Sequence, residues 1–143
     1  MKVIRIFKNL NGLVLRETMF EFNSKSYVVS FNDTMIGYFN IRAGIPGHKK
    51  SVSVEYELLS NFRGNGLGKI LLEVIEKYIK KNFDVEEINL LIKYDNEKSK
   101  KVAISNHFQI NYEDMEMMAL EGEMTNYYPF YKNISKNKQK VLS

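Results

Sequence analysis

The stretch Asn61-Phe-Arg-Gly-Asn-Gly-Leu-Gly-Lys69 places three glycines between two segments of different periodicity. Upstream, Val52, Val54, Tyr56 and Leu58 alternate with Ser53, Glu55 and Glu57, the period of a strand over Ser51–Leu59. Downstream, Leu67, Ile70, Leu71, Val74, Ile75 and Tyr78 fall at the spacing of an amphipathic helix running to about Lys81. Lys69, Glu73, Glu76, Lys77 and Lys80 take its other face, where Glu73–Lys77 and Glu76–Lys80 are supporting pairs four apart. A glycine-rich turn therefore joins a strand to a helix N-terminus. Glycines let the backbone approach a ligand closely. The first-turn N–H groups have no partner within the helix, and its dipole favours an anion there by ~0.3–1 kcal/mol at an exposed site. The turn suits a phosphate or diphosphate. The plainer alternative is a helix-capping turn that is merely rich in glycine.

Two familiar phosphate motifs fail on specific residues. Counting back from Gly68-Lys69, Arg63 stands where a Walker A loop needs glycine, and Ile70 replaces its hydroxyl residue. In a dinucleotide fingerprint the third glycine would fall on Lys69 or Leu71. What remains, Arg63-x-x-Gly66-x-Gly68, resembles the acyl-CoA pyrophosphate loop (Q/R-x-x-G-x-G/A) of the GNAT N-acetyltransferase superfamily. Asn96, Ser99 and Phe108 also match that superfamily's second-helix pattern, so the resemblance covers about Ser51 to Tyr112. Three features depart from it. His107 replaces a Gly before Phe108, and Ala103 stands where many members carry a Tyr that protonates the departing thiolate. No convincing amphipathic helix lies between Leu10 and Tyr27, where members place one or two.

The chain has 143 residues and 44% apolar content, enough for one domain, assigned to 1–132 with a flexible basic tail at 133–143. There is no cysteine, hence no disulfide, thiolate metal site or cysteine nucleophile; a cytoplasmic setting is expected and no metal. The net charge of +4 lies partly in the tail lysines, with no aromatic-interleaved basic stripe, so nucleic acid is not an expected partner. No apolar run approaches a membrane span, and no signal-peptide pattern opens the chain.

Met1–Leu10 reads as a first strand and Asn9–Gly12 as a turn. Leu13–Phe22 suits a twisted strand or a short helix, and Asn23–Ser26 a further turn. Tyr27–Phe31 and Met35–Arg42 read as a hairpin about Asn32-Asp33-Thr34. Ala43–Lys50 is a loop and a candidate mobile, ligand-facing segment. Ile88–Tyr94 reads as a buried strand, followed by a helix capped by Asp95 or Asn96. Gln109–Leu120 and Met124–Lys132 read as a closing pair of strands, with Met115, Met117 and Met118 as core filler. The aromatic Tyr127–Tyr131 segment is core or a partner surface, which leaves a homodimer open. This order gives a mixed α/β (α+β) domain with a helix on each side of central strands.

The resemblance implies a mostly antiparallel central sheet flanked by helices, with a reduced N-terminal helical region. It implies acetyl-CoA as co-substrate and direct transfer to a primary amine, of a small molecule or a protein. Backbone N–H groups of Arg63, Gly64, Asn65, Gly66, Leu67, Gly68 and Lys69 would hold the pyrophosphate, and peptide groups near Leu58 and Leu59 the pantetheine arm. Asn96 and Ser99 would contact the arm from the second helix. Glu55 and Glu57, on one strand face, are candidate bases; Tyr112, Tyr94 or water could fill the acid role. The competing reading is a non-catalytic CoA-binding regulatory module.

Overall fold

The computed structural model describes residues 4–5, 13–21, 24–44, 50–120 and 126–135. Strands β1 (Ile4–Arg5), β2 (Leu13–Glu21), β3 (Ser24–Phe31), β4 (Thr34–Ala43) and β5 (Ser51–Leu58) follow one another. Helix α1 (Leu67–Asn82), β6 (Glu87–Lys93), α2 (Glu97–Ser105), β7 (Gln109–Ile110), α3 (Tyr112–Leu120) and β8 (Tyr127–Asn133) complete the order. They build one sheet in the order β1-β2-β3-β4-β5-β6-β8-β7. The β5–β6 pair is parallel and its neighbours are antiparallel. Among the described residues no helix precedes Ser60, and β1 to β5 pair in sequence as an antiparallel meander.

Local chemistry accounts for most of these elements. The β3–β4 hairpin turns at Asn32 and Asp33, whose φ values of 50° and 65° are those of a tight two-residue turn matching the strands' twist. The alternation of β5 puts Val52 and Val54 into the core and Glu55 and Glu57 outside. Helix α1 buries Leu71, Leu72, Val74, Ile75, Tyr78 and Ile79, each worth roughly 1.5–3 kcal/mol on full burial. That stripe lies on Tyr27, Val29, Phe39, Ile41, Val54, Ile88 and Leu90. Tyr27 stacks on Phe39 at 4.6 Å, and Tyr78 meets Tyr27 edge-on at 5.1 Å. The Tyr78 hydroxyl donates to the Tyr27 hydroxyl at 3.1 Å, which satisfies the polar end of a buried ring.

The structure corrects four expectations. Helices α1 and α2 share one face of the sheet rather than taking one each. Val102 of α2 approaches Gly68 of α1, and Lys132 links Glu76 of α1 to the ring of Phe108 just beyond α2. Ser24–Ser26 belong to β3, not to a turn. Gln109–Leu120 is not a strand: only Gln109–Ile110 pairs with β8, and α3 begins at Tyr112. The Asn111 side chain accepts from Asp114 N–H at 3.1 Å, and Glu113 and Asp114 lie in the first turn, which favours a helix start over a continued strand. Met117 is 54% exposed, so it is not core filler. At the end of the domain, β8 runs to Asn133 and Ile134 is buried. The remaining tail from 136, the Asn9–Gly12 turn and most of the 43–50 loop lie outside the described residues.

One ion pair fastens α1 to the far side of the sheet. Lys132 Nζ lies 2.6 Å from Glu76 Oε1, and Lys80 Nζ lies 2.9 Å from Oε2. Burial pushes the Glu76 carboxyl up, but the bonds from Lys132 and Lys80 outweigh it and hold it below 4.5. A depressed carboxylate adds stability above its unfolded value, and that stability is lost as pH falls through the folded one. Glu76→Gln should therefore cost about 1–3 kcal/mol near neutral pH. The difference from the unaltered protein should vanish in strong acid, as urea unfolding at the two pH values would show.

Candidate functional site

Strands β5 and β6 pair only from Ser51–Glu87 to Val54–Leu90. Beyond that point both continue, β5 to Leu58 and β6 to Lys93, but their ladder has ended. A cleft of about 150 Å³ lies there, lined by Val54, Glu55, Tyr56, Leu90, Ile92, Lys93, Asn96, Ser99 and Tyr127 among others. Leu59 N–H donates to Ile36 O at 2.8 Å, which fixes which peptide groups of β5 turn toward β4. By alternation, the peptide groups of Tyr56 and Leu58 turn toward the opening. The Leu58 carbonyl accepts from Arg63 Nε at 3.0 Å, so the groups left facing the cleft are Tyr56 N–H and C=O and Leu58 N–H. The Leu59 carbonyl accepts from Phe62 N–H at 2.9 Å, so both peptide groups of Leu59 are engaged. The edge open to an added chain is thus centred on Tyr56 and Leu58, three residues and one residue before Leu59.

From the end of β5 the chain makes a short 3-10 turn, Ser60–Phe62, then the glycine loop. Gly64 and Gly66 have φ of 86° and 81°, left-handed values that a side-chain-bearing residue reaches only at about 1–2 kcal/mol. A Cβ on either would meet nothing within 4 Å, so conformation rather than space demands glycine there. Gly66 is the N-cap of α1 and makes no side-chain cap bond to the helix start. Two loop amides meet protein acceptors: Arg63 N–H donates to the Ser60 carbonyl at 3.3 Å, and Leu67 N–H to the Asn65 side-chain Oδ1 at a long 3.4 Å. Lys69 is exposed. Gly68 is set where a Cβ would rest on Val102 at 3.5 Å and Leu58 at 3.7 Å, so β5, α1 and α2 converge at the loop. The helix start and the cleft thus lie at the same end of β5.

The predicted side chains divide. Asn96 and Ser99 line the cleft from α2. Asn96 also caps α2, its Oδ1 accepting from Ser99 N–H at 3.1 Å, which leaves its NH2 group available. Glu55 lines the cleft and lies 3.4 Å from Arg42. Both are more than half exposed, so that ion pair contributes little. Glu57 is bound on both oxygens: Tyr38 O–H donates to Oε2 at 2.5 Å and Arg63 lies 2.8 Å from Oε1. The carboxylate raises the Tyr38 hydroxyl above its ordinary value, because the bond favours the protonated form. Arg63 therefore braces the end of β5 with its side chain. Tyr112 is 69% exposed and lines a separate open depression with Ile104, Gln109 and Glu113, so the structure does not bring it to the cleft. Tyr94 is 54% exposed and packs edge-on against Tyr128. His107 has φ of 69°, the left-handed turn that ends α2 and for which glycine is better suited.

Among the polar cleft residues, Tyr56, Lys93 and Tyr127 were not site candidates from the sequence. Tyr56 carries the strongest signal. Its hydroxyl is buried and, among the described residues, has no hydrogen-bond partner. Such a group costs about 1–3 kcal/mol. Burial pushes its pKa up to about 12, so it stays protonated. The sequence shows it as a lone hydroxyl on the otherwise apolar face of Val52, Val54 and Leu58. Among the described residues no group of three His, Cys, Asp or Glu could hold a metal ion, and no helix is long and apolar enough to cross a membrane.

Comparison with known proteins bears on this arrangement. The N-acetyltransferase PseH of Campylobacter jejuni superposes with a TM-score of 0.63 at 23% identity, over 80% of this chain and 71% of that one. The ribosomal L7/L12 α-N-protein acetyltransferase RimL superposes at 0.69 with 17% identity, over 92% and 95% of the two chains. A spermidine N-acetyltransferase from Vibrio cholerae, solved with CoA and spermine, gives 0.62 at 15% identity over 80% and 68%. At these identities the likeness shows the fold alone. No curated protein sequence matches significantly. The family model of the acetyltransferase (GNAT) family matches residues 7–108, a span that holds β5, the glycine loop, α1, β6 and α2. With more than half of its length matched, the chain belongs to the GNAT acetyltransferase family.

Proposed function

We propose that this protein is an acetyl-CoA-dependent N-acetyltransferase, acting in the cytoplasm, that moves an acetyl group directly to a primary amine. The observation that carries this reading is the cleft where β5 leaves β6, at the end of β5 from which the chain enters the glycine loop and α1. The diphosphate would sit on amides of the loop from Arg63 to Lys69, whose backbone positions Gly64 and Gly66 permit. The pantetheine arm would add to the open edge of β5 at Tyr56 and Leu58, as an extended peptide adds to a sheet, while Asn96 and Ser99 contact it from α2. An N–H on that edge would polarise the thioester carbonyl and stabilise the oxyanion.

Glu55 is the base we favour, directly or through a water, because it lines the cleft and its ion pair is weak. Glu57 serves better as the anchor that holds Arg63 and Tyr38. The acceptor is an amine of unassigned identity. The fold relatives named for spermidine and for a protein N-terminus indicate that this fold accommodates both small and large amines. The second reading, a CoA-binding module without catalysis, is favoured by Ala103, which cannot donate a proton, and by the lack of a helix before Ser60 among the described residues.

Release of free CoA thiol from acetyl-CoA, followed with a panel of polyamines, amino acids and peptides, separates the two. The enzyme reading expects amine-dependent release with at least one class. CoA binding without release across a broad panel would favour the module.

A further inference from the structure

We infer that the Tyr56 hydroxyl is the hydrogen-bond donor to the sulfur of the bound thioester and of the thiolate that leaves it. The inference rests on the acetyl-CoA reading of the cleft. Three observations lead to it. Tyr56 lines the cleft together with Asn96 and Ser99, on the core side of β5. Its hydroxyl is buried and unpartnered among the described residues, a state that opposes folding and that a ligand atom in the cleft would relieve. The sequence neighbour Glu55 lines the same cleft but projects from the other face of the strand. Base and donor are thereby set on opposite sides of an opening through the sheet. That is the arrangement a displacement needs, with the amine entering on one side and the sulfur departing on the other.

The step balances without any further reagent. The amine nitrogen forms a bond to the acetyl carbon, the carbon–sulfur bond breaks, and its electron pair stays on sulfur. The proton lost by the amine goes to Glu55 or water. Tyr56, pushed up to about 12 by burial, holds its own proton against a thiolate whose conjugate acid lies near 8.5 for an ordinary thiol. It therefore stabilises the thiolate by donating a hydrogen bond and gives up no proton. Solvent protonates the thiolate after release. Ala103 offers no competing donor, and Tyr112 and Tyr94 are outside the cleft lining.

The test uses CoA itself and needs no acceptor. The thiol of CoA bound to the unaltered protein and to Tyr56→Phe is titrated by its thiolate ultraviolet absorbance, with affinity measured by calorimetry at a pH below the titration. The bound thiol should titrate about one unit higher in Tyr56→Phe, a tenfold change in the thiolate equilibrium. Affinity for the protonated thiol should change little. Thermal stability should be unchanged or raised, because the lost hydroxyl has no protein bond to break. Equal titration of the bound thiol with CoA binding intact would overturn the Tyr56 assignment alone. A strongly destabilised or unfolded Tyr56→Phe would also overturn it, since the hydroxyl would then have a structural partner. Absence of CoA binding to the unaltered protein would overturn the reading of the cleft, and this assignment with it.

Discussion

Gly66→Asp should lower the affinity for CoA by at least about 100-fold while leaving the protein folded. Two effects act together. Gly66 holds φ at 81° as the N-cap of α1, and a Cβ there points into space with nothing within 4 Å. The side chain is therefore tolerated by the fold, at a strain of about 1–2 kcal/mol, but it occupies the approach to the loop amides. Its carboxylate also faces the diphosphate. Two like charges about 4 Å apart repel by about 4 kcal/mol at an effective dielectric of 20, close to three decades in Kd. Gly66→Asn has nearly the same shape without the charge and tolerates the left-handed conformation, so it should lose much less. Calorimetry on both variants, with thermal melts to verify folding, separates repulsion from shape. Unchanged affinity in Gly66→Asp would remove the loop from the account.

Glu55→Gln should lower kcat by roughly 10²–10⁴-fold, the usual worth of a positioned base, with acetyl-CoA affinity preserved. The amide has the same shape but cannot take the amine's proton. Glu57→Gln should give a smaller loss, expressed mainly as weaker CoA binding. Its carboxylate holds Arg63, which in turn holds the Leu58 carbonyl at the end of β5. Steady-state thiol release with an accepted amine reads both. Full turnover in both variants would remove the carboxylate base, and equal losses in kcat would contradict the division of roles between the two.

The central strand–loop–helix unit was legible because each of its parts obeys a local rule. Period two ends at Leu58, period 3.6 begins at Leu67, and the glycines between them have the backbone conformations that only glycine reaches cheaply. The parting of β5 from β6 was not legible. Apart from Asn89, Ile88 to Ile92 are apolar, and no residue type marks the point after Leu90 where pairing stops. That point depends on sheet twist and on where α2 begins, both tertiary properties. For the same reason the sequence points to the peptide groups of Leu58 and Leu59, whereas those open on the β6 side of β5 are at Tyr56 and Leu58. Helix α3 was misread because the Met residues from 115 to 118 satisfy either period, while the deciding signal was the Asn111 cap with its acidic first turn. Arg63 shows a third kind of gap. Its position in the motif was readable, but the turn of its side chain back onto Glu57 needed the geometry of the loop.

The account stands on the amides at the start of α1 receiving the diphosphate of CoA, and amide NMR during a CoA titration tests that contact residue by residue. The amides of Gly64 through Lys69 should shift first and furthest, with those of Tyr56, Leu58 and Ser99 moving in step along the cleft. CoA binding that leaves the loop amides unmoved, or a titration in which nothing moves, would contradict it.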